Sequence, residues 1–234
     1  MSIAEKFEVI ADEVYEKGKD YIWEVVQQKG NRPDYSYAFI YWDIDYIRPK
    51  YKVIPTHEYS TNQTFTKSKI KKVEKEYFDF SQKTHSTNSQ AGCYYMFSTC
   101  TNLEEIEDIK MPLVPNYTYA FAWSDKLHTI GFPLKCDETT AWGNAFTRCS
   151  ALKNIEIEGV IGKSGFNVSA CTKLSGESIV SIIEALSTTT SGLTVTLSQM
   201  AVNSMVFPIV GKKGTYNSWT ELEQSRTNWT ISLV

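Results

Sequence analysis

Apolar residues recur along this chain in three rhythms, and each predicts a different kind of element. Near the start, Ile3, Phe7, Ile10 and Val14 are spaced 4, 3 and 4, a short heptad seam. After Lys17 and Gly18, Tyr21, Ile22, Val25 and Val26 resume an apolar face. This spacing predicts a helix over about residues 3–28, ended by Gly30 and the Asn-Arg-Pro turn at 31–33. Two uses for the helix stay open: packing on its own domain, or bundling with copies of itself through the seam. The stretch "YSYAFIYWDIDYIRPKYKVIP" (35–55) alternates instead, which predicts strands punctuated by Pro49 and Pro55. Its Tyr35, Tyr37, Tyr41, Trp42, Tyr46 and Tyr51 suit an adhesive face. The preferred reading is that they pack this lobe against the first repeat of the next region.

The third rhythm is a phrase written three times: "YMFSTCTNLEEI" (95–106), "YAFAWSDKLHTI" (119–130) and "NAFTRCSALKNI" (144–155). Aligned on Phe97, Phe121 and Phe146, each copy carries Cys100, Ser124 or Cys149 three residues on. Leu103, Leu127 and Leu152 follow after another three, then Ile106, Ile130 and Ile155. A weaker copy runs through Val168, Cys171 and Leu174, and an eroded one precedes with Phe65, Ser68 and Val73. A period of this length with fixed apolar anchors predicts stacked units, none of which buries its apolar edge alone. The Cys/Ser position is expected to pack a small side chain where the chain turns tightly.

Beyond Leu174 the pattern changes to that of an α+β cap over the open end of the stack. "SGESIVSIIEAL" predicts a helix capped by Ser175, with Ile179, Ile182, Ile183 and Leu186 on one face. "LTVTLS" (193–198) alternates as a strand, and "SQMAVNSM" reads as a short helix opened by Ser198. "SWTELEQSR" predicts another helix, with Ser218 and Glu221 at capping-box spacing, and "NWTISLV" predicts the last strand. The expected organisation is residues 1–30 as an N-terminal helix and 31–92 as an aromatic lobe with an eroded first repeat. Repeats then fill 93–175 and the cap 176–234.

Composition narrows the function. Hydrophobic residues make up 42% and charged ones 22%, which excludes wholesale disorder. A net charge of −3 with no basic block beyond "KSKIKK" (67–72) argues against a nucleic-acid partner, and that run reads as a solvated face. No apolar stretch reaches the roughly 18 residues of a membrane span, and the charge-alternating start does not read as a secretory signal. The five cysteines, Cys93, Cys100, Cys136, Cys149 and Cys171, include no Cys-x-x-Cys pair, and the three at matching places in the repeat, Cys100, Cys149 and Cys171, read as small buried apolar residues. His57, His85 and His128 lack metal-ligand spacing, and no phosphate loop or Gly-x-Ser-x-Gly elbow is present. Asp43 and Asp45 of "WDID" read as solvated strand residues rather than a cation site. The expectation is a chain that is not an enzyme and takes no cofactor and no metal.

The repeated phrase resembles the BspA-like, surface-antigen class of leucine-rich repeats, whose units run Ala-Phe, three residues to Cys, then Leu and Ile. "NAFTRCSALKNIEI" fits best, and the likeness covers about residues 93–175. The C-terminal wording, "GVIGKSGFNV", "TKLS", "LSTTTSGLTVTLS" and "NWTISLV", resembles the endings of leucine-rich-repeat proteins of bacteriophages and prophages of gut Gram-positive bacteria. The resemblance implies an α+β fold: an N-terminal helix, a short irregular leucine-rich-repeat solenoid of 3–5 units of about 24 residues, and an α+β cap.

It also implies a virion protein of the tail tip, baseplate or fibre that binds a receptor on the host surface. Its partners would be other virion proteins through the N-terminal helix, a host protein or glycan, and copies of itself, a trimer being favoured. No membrane insertion is expected, and no export signal is needed, since lysis releases particles. A decorating component that contacts only neighbouring subunits, or a bacterial surface adhesin, are the alternatives. The variable positions of the repeat are the candidate contacts: Tyr95, Tyr119 and Asn144 in one row, Thr99, Trp123 and Arg148 in another. Trp123 and Arg148 lead, because Trp and Arg dominate interface energetics; the bland alternative is a Trp that shields a neighbouring unit.

Overall fold

The computed structural model describes residues 20–23, 39–49, 52–55, 61–83 and 92–234. The architecture is mixed α+β. Five parallel strands form one sheet in chain order: β1 (Asp20–Trp23), β2 (Tyr46–Pro49), β3 (Lys72–Val73), β4 (Glu105–Ile106) and β5 (Thr129–Ile130). Successive strands pair in register, so Lys72, Glu105, Thr129 and Asn154 share one row. β6 (Leu134–Cys136) and β7 (Ile157–Gly159) make a second parallel pair. Parallel neighbours need a crossover between them, and here the repeated phrase supplies it.

The phenylalanines of that phrase stand in a column. Phe97 stacks on Phe121 at 5.8 Å and Phe121 on Phe146 at 5.5 Å, with ring planes within 12°. The column continues through the eroded copy at Phe65 and runs one unit further, to Phe39. Phe65 stacks on Phe97 at 5.3 Å, and Phe39 on Phe65 at 5.4 Å. Ring pairs of this kind add about 0.5–1.5 kcal/mol each beyond the area they bury. Leu103, Leu127, Leu152, Ile106 and Ile155 fill the space beside the rings and are all buried.

Residue 39 corrects the expectation of strands through 35–55. Residues 39–41 form a turn that heads the column, and only Tyr46–Pro49 is a strand, with a bridge from Val53 to Phe78. Trp42 does pack edge-on against Phe39 at 5.2 Å, but Tyr41 is 64% exposed with the Lys67 ammonium over its ring. Tyr35, Tyr37 and Tyr51 lie outside the described residues. The expected helix over 3–28 is corrected at residues 20–23. These form β1, paired with β2 from Asp20↔Tyr46 to Trp23↔Pro49. The sequence "DYIW" suits a strand, and sheet pairing overrides a helical rhythm that propensity only weakly supports. The rest of that helix, with the seam Ile3, Phe7, Ile10 and Val14, lies outside the described residues.

After Leu174 the chain forms α1 (Gly176–Ala185), β8 (Leu193–Leu197), α2 (Gln199–Asn203), β9 (Ile209–Val210), β10 (Thr215–Tyr216), α3 (Trp219–Gln224) and β11 (Trp229–Leu233). Ser175, Ser198 and Ser218 cap the three helices through their hydroxyls, as the spacing predicts. The Glu221 carboxylate reaches one residue beyond the cap and accepts from the Asn217 amide at 2.8 Å. β11 pairs with β8 in parallel, from Trp229↔Leu193 to Leu233↔Leu197, which no hairpin signal announces. Among the described residues no helix is long and apolar enough to cross a membrane.

Candidate interaction surface

Each unit turns through the same pair of unusual backbone positions. Tyr95, Tyr119 and Asn144, two residues before the column phenylalanine, have φ of 53°, 55° and 55°; Thr99, Trp123 and Arg148, two residues after it, have 60°, 61° and 62°. Tyr41, Gln63 and Lys67 repeat the pattern in the earlier units. Left-handed conformations cost a non-glycine residue about 1–2 kcal/mol, so something must hold them. In the units of Phe97 and Phe121 the next unit holds them. Tyr95, Phe97 and Thr99 donate their amides to the carbonyls of Thr118, Ala120 and Ala122 at 2.7–3.1 Å. Tyr119, Phe121 and Trp123 do the same to Gly143, Ala145 and Thr147 at 2.7–3.0 Å. The alternate amides bond within their own unit, as Ala120 does to Tyr117 and Ala122 to Tyr119. All of the variable positions singled out from the sequence are therefore turn positions whose side chains lie outside the column.

These side chains form a connected ribbon. Tyr95 stacks on Tyr119 at 4.6 Å, and Tyr119 on Trp123 at 5.5 Å with planes 8° apart. Tyr94 meets Tyr95 edge-on at 4.6 Å, and the Asn144 amide donates to the Tyr119 hydroxyl at 3.0 Å. Burial first, then neighbouring Tyr94 and Tyr119, push the Tyr95 phenol up. Trp123 is half-buried and stacks on Tyr119 of its own unit. Thr99 is half-buried beside Ser98 at 3.4 Å. Arg148 is exposed and makes no ion pair among the described residues. Tyr95, Tyr119, Trp123 and Asn144 are thus brought together, while Arg148 joins them only by its place in the turn.

The Cys/Ser position corrects an expectation about chemistry. Cys100, Ser124 and Cys149 are buried, but they are donors rather than inert filling. The Cys100 thiol reaches the Phe65 carbonyl at 2.9 Å, the Ser124 hydroxyl the Phe97 carbonyl at 2.7 Å, and the Cys149 thiol the Phe121 carbonyl at 3.0 Å. Burial pushes the thiols of Cys100 and Cys149 up to about 12, so each keeps its proton for this bond. Serine replaces cysteine here because both present a small donor to the same carbonyl.

On the sheet side, "KSKIKK" is engaged rather than merely solvated. Lys72 pairs with Glu105 at 3.0 Å and Glu107 at 2.6 Å, and these two carboxylates, Glu107 first, raise its pKa. Lys71 pairs with Asp45 at 3.1 Å, which gives that acid of "WDID" a lysine partner. Arg48 grips Glu74 at 2.8 Å. Among the described residues no three His, Cys, Asp or Glu side chains are grouped to hold a metal.

Sequence reasoning missed one cavity of about 700 Å³, where β5 and residues 154–156 face α1 and the β9–β10 turn. Ile130, Phe132, Glu156, Ser178, Ser181 and Lys212 line it. Its polar groups bind one another: Glu156 pairs with Lys212 at 2.7 Å, and Ser178 and Ser181 accept from the amides of Ile155 and Ile157 at 2.9 Å each. The partners come from three separate elements, so no local pattern announces the cavity. Compared with protein-family models, curated proteins and solved structures, the chain matches none.

Proposed function

We propose that the stacked units form a leucine-rich-repeat solenoid of a non-enzymatic bacteriophage virion protein, of the tail tip, baseplate or fibre, that meets a receptor on the host surface. The wording of the repeat and of the C-terminal segments supports the context. The observation that carries the binding role is the ribbon of Tyr94, Tyr95, Tyr119, Trp123 and Asn144. Consecutive units present the half-buried aromatics Tyr94, Tyr95, Tyr119 and Trp123 in one line beside the exposed Asn144, and rigid aromatics with polar tips lose little conformational entropy on recognition. A host-surface protein or glycan with a matching row of donors and apolar faces is the partner such a line fits.

The stacking of Tyr119 on Trp123 also favours a second reading, a decorating component whose ribbon touches only neighbouring subunits. Two measurements separate the readings. Mass spectrometry of purified particles detects the chain under both, and its absence from particles defeats both. Binding of the full chain to host cells, lost in Trp123→Ala, supports the receptor reading; unchanged binding by Trp123→Ala and Arg148→Ala together defeats it.

A further inference from the structure

Where the parallel rows of the units end, a helix stands in for the next strand. Asn154 bridges to Thr129, and the amides of Ile155 and Ile157 then go to the Ser178 and Ser181 hydroxyls of α1, at 2.9 Å each, instead of to another strand. A strand lies about 4.8 Å from its neighbour, whereas a helix with its side chains is about 10 Å across. The two cannot fill the same slot, and the cavity of about 700 Å³ between β5, residues 154–156, α1 and the β9–β10 turn is the space left over. Its lining is divided in character. Ile130, Phe132 and Val210 supply apolar surface, and Val210, at 75% exposed, stands at the mouth. Beyond the bonded groups described above, two polar side chains remain. Glu177, in the first turn of α1, and Asn154, on the facing segment, both line the cavity and are exposed. Neither side chain makes a hydrogen bond or an ion pair among the described residues. The lining carries the carboxylates of Glu156, Glu177 and Glu184 against one ammonium, that of Lys212.

We propose that this cavity binds an amino sugar, a mono- or disaccharide with a free, protonated amine that Glu177 holds. Three features select that class. The volume lies in the range of small-molecule sites, where apolar walls carry a few polar groups that fix orientation. The polar groups stand on facing walls, Asn154 and Glu156 on one and Glu177 and Lys212 on the other side, so they suit a body with hydroxyls around its rim and an apolar face. The excess of carboxylates repels uronates and phosphates and favours a cation, and a charge-assisted bond from an ammonium to Glu177 is about twice as strong as a neutral one. A lysine side chain brings the ammonium but nothing for Asn154 or the Glu156–Lys212 pair. The site is separate from the aromatic ribbon, none of whose residues line it, and holds whether or not the chain belongs to a phage particle.

The test is a calorimetric titration of the full chain at mildly acidic pH with the β-1,4-linked disaccharide of glucosamine, whose amines are then protonated. Saturable binding at about millimolar concentration is expected. The N-acetylated disaccharide, which has lost the charge, should bind about tenfold more weakly, and so should the parent probe to Glu177→Gln. Val210→Trp, a change at an exposed position that fills the mouth, should remove binding while the melting temperature stays that of the parent. Four results overturn the proposal. One is no saturable binding of the glucosamine disaccharide. Another is equal affinity for the N-acetylated form, which means that no carboxylate reads the amine. The third is parent affinity in Glu177→Gln or in Val210→Trp, which places the sugar elsewhere on the surface. The last is lysine amide binding as tightly as the disaccharide, which leaves a site for an ammonium alone, such as a partner's lysine.

Discussion

The stacked units and the C-terminal region solve the same problem, satisfying backbone groups in a buried interior, by opposite means. In the units the solution is local and repeated: amides of one turn bond carbonyls of the next, and a thiol or hydroxyl three residues after the phenylalanine reaches back to the preceding turn. In the C-terminal region it is long-range and made once. The Glu184 carboxylate, buried on α1, accepts from the amides of Lys212 and Lys213 at 2.8 Å each and from the Tyr216 hydroxyl at 3.1 Å. Gly211 lets that loop close, since a Cβ there would stand 2.3 Å from Glu184 Oε1. The carbonyls at the end of α1 are taken by distant side chains: Arg226 donates to Glu184 and Leu186, and Asn228 and Trp229 to Ser187. Helix C-termini leave such carbonyls orphaned, and a cation there also suits the helix dipole. Repetition tolerates variation at any one position, whereas a single anchor does not.

The largest test of that contrast is in the column. Phe121→Ala, between two ring neighbours, is expected to lower unfolding free energy by about 3–5 kcal/mol in urea denaturation; a loss below about 2 kcal/mol would mean the column is not what stabilises the units. Arg226→Ala comes next, at about 2–4 kcal/mol, because it strands carbonyls at the end of α1. Arg226→Lys should recover only part of this, as one ammonium cannot reproduce a planar fork. If Arg226→Ala is nearly neutral, the C-terminal region is not held by its anchors. At the Cys/Ser position, Cys149→Ser should be within about 1 kcal/mol of the parent and Cys149→Val about 1–2 kcal/mol worse, since only serine keeps a donor for the Phe121 carbonyl. Equal losses would return that position to plain packing. The smallest effect is in the turn: Asn144→Gly should shift stability by less than about 0.5 kcal/mol, while Asn144→Val costs about 1–2 kcal/mol, because a β-branched residue resists a positive φ. Thermal denaturation of the pair reads that difference directly.

The same contrast explains what was legible beforehand. Phe97, Phe121 and Phe146 announce their stacking because three copies at near-equal spacing carry one requirement. Phe39 went unseen, although Tyr37-Ala38-Phe39 repeats the wording of Tyr119-Ala120-Phe121; the strand-like alternation around it masked the match. The exchange of Ser124 for Cys showed that the position is small, but only coordinates reveal a shared donor. Of the candidate contacts, Tyr95, Tyr119, Trp123 and Asn144 were found as variable positions. Their left-handed backbone was hidden because no glycine marks it. Glu184 and Arg226, 42 residues apart, carry no pattern by which either names the other. Residues 20–23 went the other way: their rhythm fitted a helix, and partnership with β2 made them a strand.

From the sequence by itself came the period of the units, the phenylalanines that stack, the serine caps of the three helices and the positions left free to vary, because each depends on neighbours close along the chain or on a motif repeated. The tertiary structure decided the direction of every hydrogen bond between units, the parallel pairing of β11 with β8, the anchors of α1, and the handover after Phe146, where the backbone of residues 166–168 pairs with β8. Those depend on where separate segments meet in space, and a hydrogen bond's partner is set by distance and orientation rather than by order along the chain.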